Sequence, residues 1–125
     1  MKILILNGNP PGGKGQIDSY IDRLVEKMKS AGHDVTAITL RDHKISPCIG
    51  CFQCWVKTPG ICSIDDDARD ITRQFMAAQY VILASPLMMG FPSFLLKNAM
   101  DRNICIVHPH LEEVDGEVHH KKRYD

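Results

Sequence analysis

The sequence predicts an α/β fold, a three-layer structure in which helices cover both faces of a parallel sheet of strand order 2-1-3. Residues 2–6 and 80–84 are wholly or almost wholly apolar runs, as expected for strands buried on both faces. Helical patterns separate the strands, and strands that alternate with helices form parallel sheets through right-handed crossovers. The length of 125 residues fits one domain, residues 1–125.

The elements follow in order along the chain. Apolar residues recur at helical spacing from Ile17 to Met28, and Ala31-Gly32 provides a helix stop. Residues 34–40 alternate as a second strand. A long cysteine-containing loop is then expected at 44–64.

The second helix is predicted to start at residues 65–67, because three aspartates suit the positive end of a helix dipole. The last helix runs from Pro92 to about Arg102. Residues 103–125 are predicted to form an irregular tail in which 104–107 is the only candidate strand. The third strand is then a sheet edge, which we expect another chain, that segment or further residues to cover.

Composition narrows the classes of partner. Fifteen basic residues balance fifteen acidic residues, so there is no net charge to attract nucleic acid or an anionic membrane. No apolar run is long enough to span a bilayer, and no signal-peptide pattern is visible at the N-terminus. We therefore expect a cytoplasmic protein whose cysteines are reduced.

Four of the five cysteines lie within residues 48–62, in a Cys-x-x-Cys-x-x-Cys run followed by a fourth. The same gaps open the ferredoxin motif that binds an iron–sulfur cluster. A structural zinc site and a loop of unligated thiols are the two alternatives. The four candidate ligands are Cys48, Cys51, Cys54 and Cys62.

Two turns follow the strands that flank the topological switch point, where open parallel sheets bind ligands. The first, from Asn9 to Gln16, can offer backbone N–H groups and a helix N-terminus to a phosphate. The second, from Pro86 to Phe91, is apolar although it is a loop, which predicts a flat ligand or a dimer contact. We therefore also expect a homo-oligomer.

The histidines of 108–120 are interpreted as solvated surface residues.

As a set, these segments resemble the flavodoxin-like NAD(P)H-dependent FMN reductases, and among them the iron–sulfur flavoproteins and their cluster-free relatives. The matching pieces are the Asn-Gly-Asn-Pro turn at 7–10, the loop Pro-Cys-Ile-Gly-Cys-Phe-Gln-Cys-Trp at 47–55, Cys62 with Asp65 and Asp66, the Pro-Leu-Met-Met-Gly turn at 86–90 with the helix after it, and the tail at 114–124.

The resemblance implies a function and a set of cofactors. NAD(P)H would reduce FMN, which would pass electrons to a [4Fe–4S] cluster or to a small-molecule or protein acceptor. The family fold has two further strands, which this chain lacks. The alternative is a shortened module that binds no flavin and acts as a non-enzymatic partner subunit. The implied FMN contacts are Asn9, Pro10, Gly15, Gln16, Ile17, Pro86, Leu87, Met88, Met89, Gly90 and Phe91.

Overall fold

The sheet has the predicted topology. The computed structural model describes residues 1–12 and 16–124, so Gly15 of the predicted phosphate turn lies outside the described residues. Strands β1 (Lys2–Asn7), β2 (Asp34–Thr39) and β3 (Tyr80–Ala84) form a parallel sheet in the order β2-β1-β3. The predicted strand order and the flavodoxin-like three-layer class are therefore confirmed.

The helices cover the sheet on both faces. They are α1 (Ile17–Ser30), the single-turn α2 (Gln53–Val56), α3 (Ala68–Ala77) and α4 (Phe94–Arg102), with 3₁₀ turns at Leu40–Asp42 and Asn103–Ile106. Side chains alternate across β1, as they do in any strand. Ile3 and Ile5 pack against Ile21 of α1. The intervening leucines pack against Ile71 of α3 and Leu96 of α4.

The tail differs from the prediction, because residues 107–122 are not irregular. They form an antiparallel hairpin of β4 (Val107–Val114) and β5 (Glu117–Lys122). Asp115 and Gly116 form the turn, and both have positive φ, as a two-residue type I′ turn requires. The sequence pattern does not predict these strands because both of their faces are largely exposed and polar, so they lack the alternation that marks a half-buried strand.

The tail does not cover the sheet edge either. The candidate strand at 104–107 is mainly a 3₁₀ turn. Among the described residues, β3 pairs with β1 alone, and Tyr80 and Leu83 remain about half exposed.

Within residues 1–12 and 16–124, no helix is long and apolar enough to cross a membrane.

Candidate functional site

The turns after β1 and β3 adjoin at the carboxyl edge of the sheet. Asn7 is in register with Ala84, and the Gly8 N–H donates to the Ala84 carbonyl at 2.7 Å. The Ser93 hydroxyl, which is fully buried, donates to the Gly8 carbonyl and accepts from the Leu96 N–H as the N-cap of α4. The sequence thus brings the two predicted ligand turns together, with α4 tied to both strands.

A network of polar side chains joins the turn after β1 to helix α1 and to Arg41. The side-chain amides of Asn7 and Asn9 donate to the two carboxylate oxygens of Asp18, at 2.6 and 3.0 Å. Arg41 completes the network with an ion pair to Asp18 at 3.1 Å. The hydrogen bond from Asn7, followed by that from Arg41, lowers the pKa of Asp18, so this carboxylate is ionised and compensated at neutral pH.

The N-terminus of α1 keeps backbone donors available. Gln16 occupies the N-cap, and within the described residues its side chain makes no capping hydrogen bond. Asn9 is buried, Pro10 and Ile17 are half-buried, and Gln16 is exposed. The Ser19 hydroxyl, a nearby alternative phosphate donor, donates to the Gln16 carbonyl at 3.0 Å.

The second turn is tight and apolar. Met88 and Phe91 exchange two backbone hydrogen bonds, at 2.8 and 3.0 Å, around Met89 and Gly90. Both central residues have positive φ, 54° and 85°, which glycine tolerates and methionine rarely adopts. Leu87, Met89 and Phe91 are 81%, 96% and 71% exposed. An outward-facing apolar surface held by a strained backbone is suited to contact a ligand or another protein.

The four predicted metal ligands surround one cavity of about 430 Å³, a volume within the range of small-ligand pockets. All four thiols are free; Cys48 and Cys51 are exposed, Cys62 is half-buried and Cys54 is buried. Burial raises the pKa of Cys54, and the charges of the other three thiolates add to this effect. The remaining cysteine, Cys105, is buried outside this cavity.

A buried ion pair closes the cysteine loop at its two ends. Asp66 and Arg102 are 2.8 Å apart, with side chains 2% and 1% exposed. Arg102 also donates to the carbonyls of Ser46 and Ile64, at 2.9 and 3.1 Å. Asp66 accepts from the Ser46 N–H at 2.9 Å. No local sequence pattern assigns a role to this pair, although Arg102 continues the buried i, i+3 stripe of α4.

Aromatic residues of the loop enclose the cavity only in part. Trp55 donates its indole N–H to the Ile104 carbonyl at 3.0 Å and stacks against Phe52 and His120. Ile49 and Phe52 line the cavity but remain 71% and 49% exposed. Within residues 1–12 and 16–124, no three His, Cys, Asp or Glu side chains are arranged to hold a single metal ion.

The cysteine cavity and the paired turns lie at opposite ends of α4. Ser93, at its N-terminus, contacts the turn after β1, and Arg102, at its C-terminus, lines the cavity. A helix of nine residues is roughly 13 Å long at about 1.5 Å per residue. The sequence shows both sites, but only the fold shows that one rigid helix connects them.

A parallel sheet of strand order 2-1-3 with its loops meeting at the switch point defines the flavodoxin-like class of α/β proteins. Within that class, the chain belongs to the NADPH-dependent FMN reductase family, whose family model matches residues 1–121. This confirms the resemblance read from the sequence motifs.

Several relatives are iron–sulfur flavoproteins. One from Methanocaldococcus jannaschii is 33% identical over 103 residues, which cover 82% of this chain and 52% of the relative. One from Archaeoglobus fulgidus is 30% identical over 103 residues, covering 82% and 49%. The chain therefore spans about half the length of the curated relatives it matches.

A solved structure supports the fold. A Klebsiella pneumoniae protein assigned as a quinone reductase superposes with a TM-score of 0.61 at 19% identity, over 82% of this chain and 45% of that one. At this identity the likeness concerns the fold alone.

Proposed function

We propose that this chain is the cofactor-binding part of an FMN-dependent NAD(P)H oxidoreductase that also carries a [4Fe–4S] cluster. The observation that carries the proposal is the adjacency of the two turns at the switch point, in a chain of the FMN reductase family. The electron acceptor would be a small molecule or a protein.

The residues around the first turn fit a phosphate. The N-terminus of α1, where the Gln16 side chain makes no capping hydrogen bond within the described residues, offers N–H donors and the positive end of a helix dipole. The carboxylate of Asp18 is paired with Arg41 and accepts hydrogen bonds from both asparagine amides, so it opposes an anion less than an unpaired carboxylate would. Asn9, Pro10, Gln16 and Ile17 are the described residues proposed to hold the phosphate.

The residues of the second turn fit a planar ring. Their apolar side chains are exposed, and the two backbone hydrogen bonds between Met88 and Phe91 hold the turn in one shape. A preorganised surface binds a ligand with less loss of conformational entropy than a mobile loop. Residues 86–91 would orient the ring and exclude water from one of its faces.

The donor set around the cysteine cavity fits a cubane cluster. Cysteine thiolates are the usual ligands of such clusters, and Cys48, Cys51, Cys54 and Cys62 share one cavity. The ligands of a cubane bind different iron atoms, so they stand farther apart than those around one zinc ion. The Cys-x-x-Cys-x-x-Cys spacing opens the ferredoxin motif, whereas structural zinc sites usually draw on two separated cysteine pairs, so the spacing favours a cluster over zinc.

When bound, FMN accepts a hydride from the nicotinamide and can release electrons one at a time, as the cluster requires. The protein supplies position and environment. Ser93 binds the N-terminus of α4 to the turn after β1, and Arg102 binds the other end of the helix to the cysteine loop. Helix α4 therefore fixes the spacing of the proposed flavin and cluster sites. No side chain of the described residues needs to act as an acid or base.

An absorption spectrum tests the proposal. We expect protein supplied with FMN, iron and sulfide without oxygen to retain, after desalting, two resolved flavin bands and a broad brown shoulder. Cys51→Ser should lose at least half of the shoulder, because it removes one ligand, and should keep the flavin bands. Cys105→Ala is the matched control and should keep both features, because Cys105 lies outside the cavity.

Other outcomes select other functions. Flavin bands without a shoulder would indicate a cluster-free FMN reductase with unligated thiols. A colourless, folded protein that does not bind added FMN would contradict both cofactor assignments. It would support the alternative of a non-enzymatic partner module, for which the coverage of about half the relatives is the favouring observation.

A further inference from the structure

We propose that Arg102 is a positioning residue for the cysteine site. Its side chain holds the two ends of the cysteine loop, and it directs its Nε–H donor and its positive charge at the cluster ligand Cys62. The inference rests on the proposed function, since it concerns the cluster. It assigns a tuning role to a residue that ligates nothing.

Among the described residues, the hydrogen bonds of Arg102 leave one of its three guanidinium nitrogens without a partner. The Nη atoms of its guanidinium contact Asp66, Ser46 and Ile64, and these bonds account for the clamp described above. Within the described residues, Nε is buried and has no hydrogen-bond partner. A buried N–H without a partner is destabilising, so such a group calls for an acceptor.

The acceptor that fits is sulfur at the cysteine cavity. Arg102 and Cys62 line that cavity together, and they also share the wall of a second cavity of about 370 Å³. Burial works against the charge of Arg102, but hydrogen bonding to Asp66 and the adjacent Cys62 thiolate raise its pKa above the ordinary value. The guanidinium is therefore a permanent positive charge beside the Cys62 sulfur, at an almost fully buried position.

This charge has a predictable effect on electron affinity. Adding an electron makes a cluster with four thiolates more negative, and a nearby positive charge in a poorly solvated place stabilises that state. Asp66 carries the opposite charge, 2.8 Å from the Nη1 atom of the guanidinium. Removing Arg102 should thus lower the reduction potential, whereas removing the charge of Asp66 should raise it.

The experiment is an EPR-monitored dithionite titration of the reconstituted chain and four variants. Arg102→Gln should lower the one-electron equilibrium constant for reduction at least tenfold, or 59 mV. Arg102→Lys, which keeps the charge, should shift it by less than half as much. Asp66→Asn should shift it in the opposite direction. Arg73→Gln removes an exposed, paired arginine of α3 and should leave it unchanged.

The opposite signs separate tuning from simple loosening of the loop. Both Arg102→Gln and Asp66→Asn break the clamp, so a structural effect alone would move the potential in one common direction and would overturn the inference. An unchanged potential in Arg102→Gln would also overturn it. If Arg102→Gln retains no cluster, the directions in which Asp66→Asn and Arg102→Lys shift the reduction potential decide whether the inference holds. A wild-type chain that takes up no cluster would refute the cluster proposal itself, and the inference with it.

Discussion

Gly8 is the residue on which the junction of the two turns depends most directly. A Cβ at this position would stand 2.8 Å from both the Leu96 Cβ and the Ser93 Oγ. Neither atom is the free end of a flexible chain, because Leu96 and Ser93, the N-cap of α4, are both buried. The backbone after β1 and α4 can approach this closely only where the side chain is a hydrogen atom.

We predict that Gly8→Ala lowers the free energy of unfolding by about 2–4 kcal/mol, from overpacking and a weakened Ser93 hydrogen bond. Urea denaturation followed by circular dichroism measures it. Ser93→Ala removes one of the two clashing atoms, so Gly8→Ala should cost at least about 1 kcal/mol less in that background. Strictly additive losses in the double-mutant cycle would contradict the steric explanation.

Single residues differ in how far the sequence reveals them. The cysteine quartet and the apolar turn at 86–91 are visible because their residue types are unusual for a loop. Asp18, Arg41 and Arg102 are ordinary charged residues until the fold brings their partners to them from distant segments. Their roles depend on contacts across more than twenty residues, which no local pattern contains.

At the scale of elements, the clamp of Asp66 and Arg102 makes the cysteine loop sensitive to acid. Burial alone would raise the pKa of Asp66, but the hydrogen bonds from Arg102 and the Ser46 N–H lower it from 3.8 to about 2. A pKa that is lower in the folded state means that stability is present above the unfolded pKa and is lost as the pH falls through the folded value.

We therefore predict a stability difference between wild type and Asp66→Asn that shrinks by about 2 kcal/mol as the pH falls from about 5 to about 2. Urea unfolding at a series of pH values measures the difference. Asp70→Asn is the matched control, because Asp70 is an exposed aspartate in the first turn of α3, which begins shortly after Asp66. A gap between wild type and Asp66→Asn that stays constant with pH would show that ionisation of Asp66 contributes nothing.

The elements themselves were predictable where hydrophobic pattern and burial agree. The third strand covers the predicted residues 80–84, and α1 begins at the predicted Ile17. Helix α4 begins at Phe94 and not at Pro92, because the Ser93 side chain caps it. The β4–β5 hairpin was missed although Asp115-Gly116 is a strong turn signal, because its strands bury little and their pattern is mostly polar.

For the whole molecule, the three-layer core is assembled on both faces of β1, yet the surface around β3 stays apolar. Tyr80 and Leu83 on the strand, and Leu87, Met89 and Phe91 on the turn after it, are all at least 44% exposed. Apolar surface of this extent usually meets another protein or a ligand. Since FMN would cover only part of it, the rest is available for self-association.

We predict that the chain forms a homo-oligomer through this surface, with a sedimentation coefficient that rises with concentration. The double variant Leu87→Lys/Phe91→Lys should weaken association at least tenfold, since it places charges in an apolar contact. The control is Leu111→Lys/Val118→Lys on the hairpin, because these side chains are similarly apolar and 63% and 67% exposed. It should leave association unchanged if contact through the β3 side drives assembly. A wild-type chain that sediments as a monomer at every concentration would refute self-association. Equal weakening of association by both double variants would contradict a specific contact through the β3 side, because a general loss of apolar surface would then explain the effect.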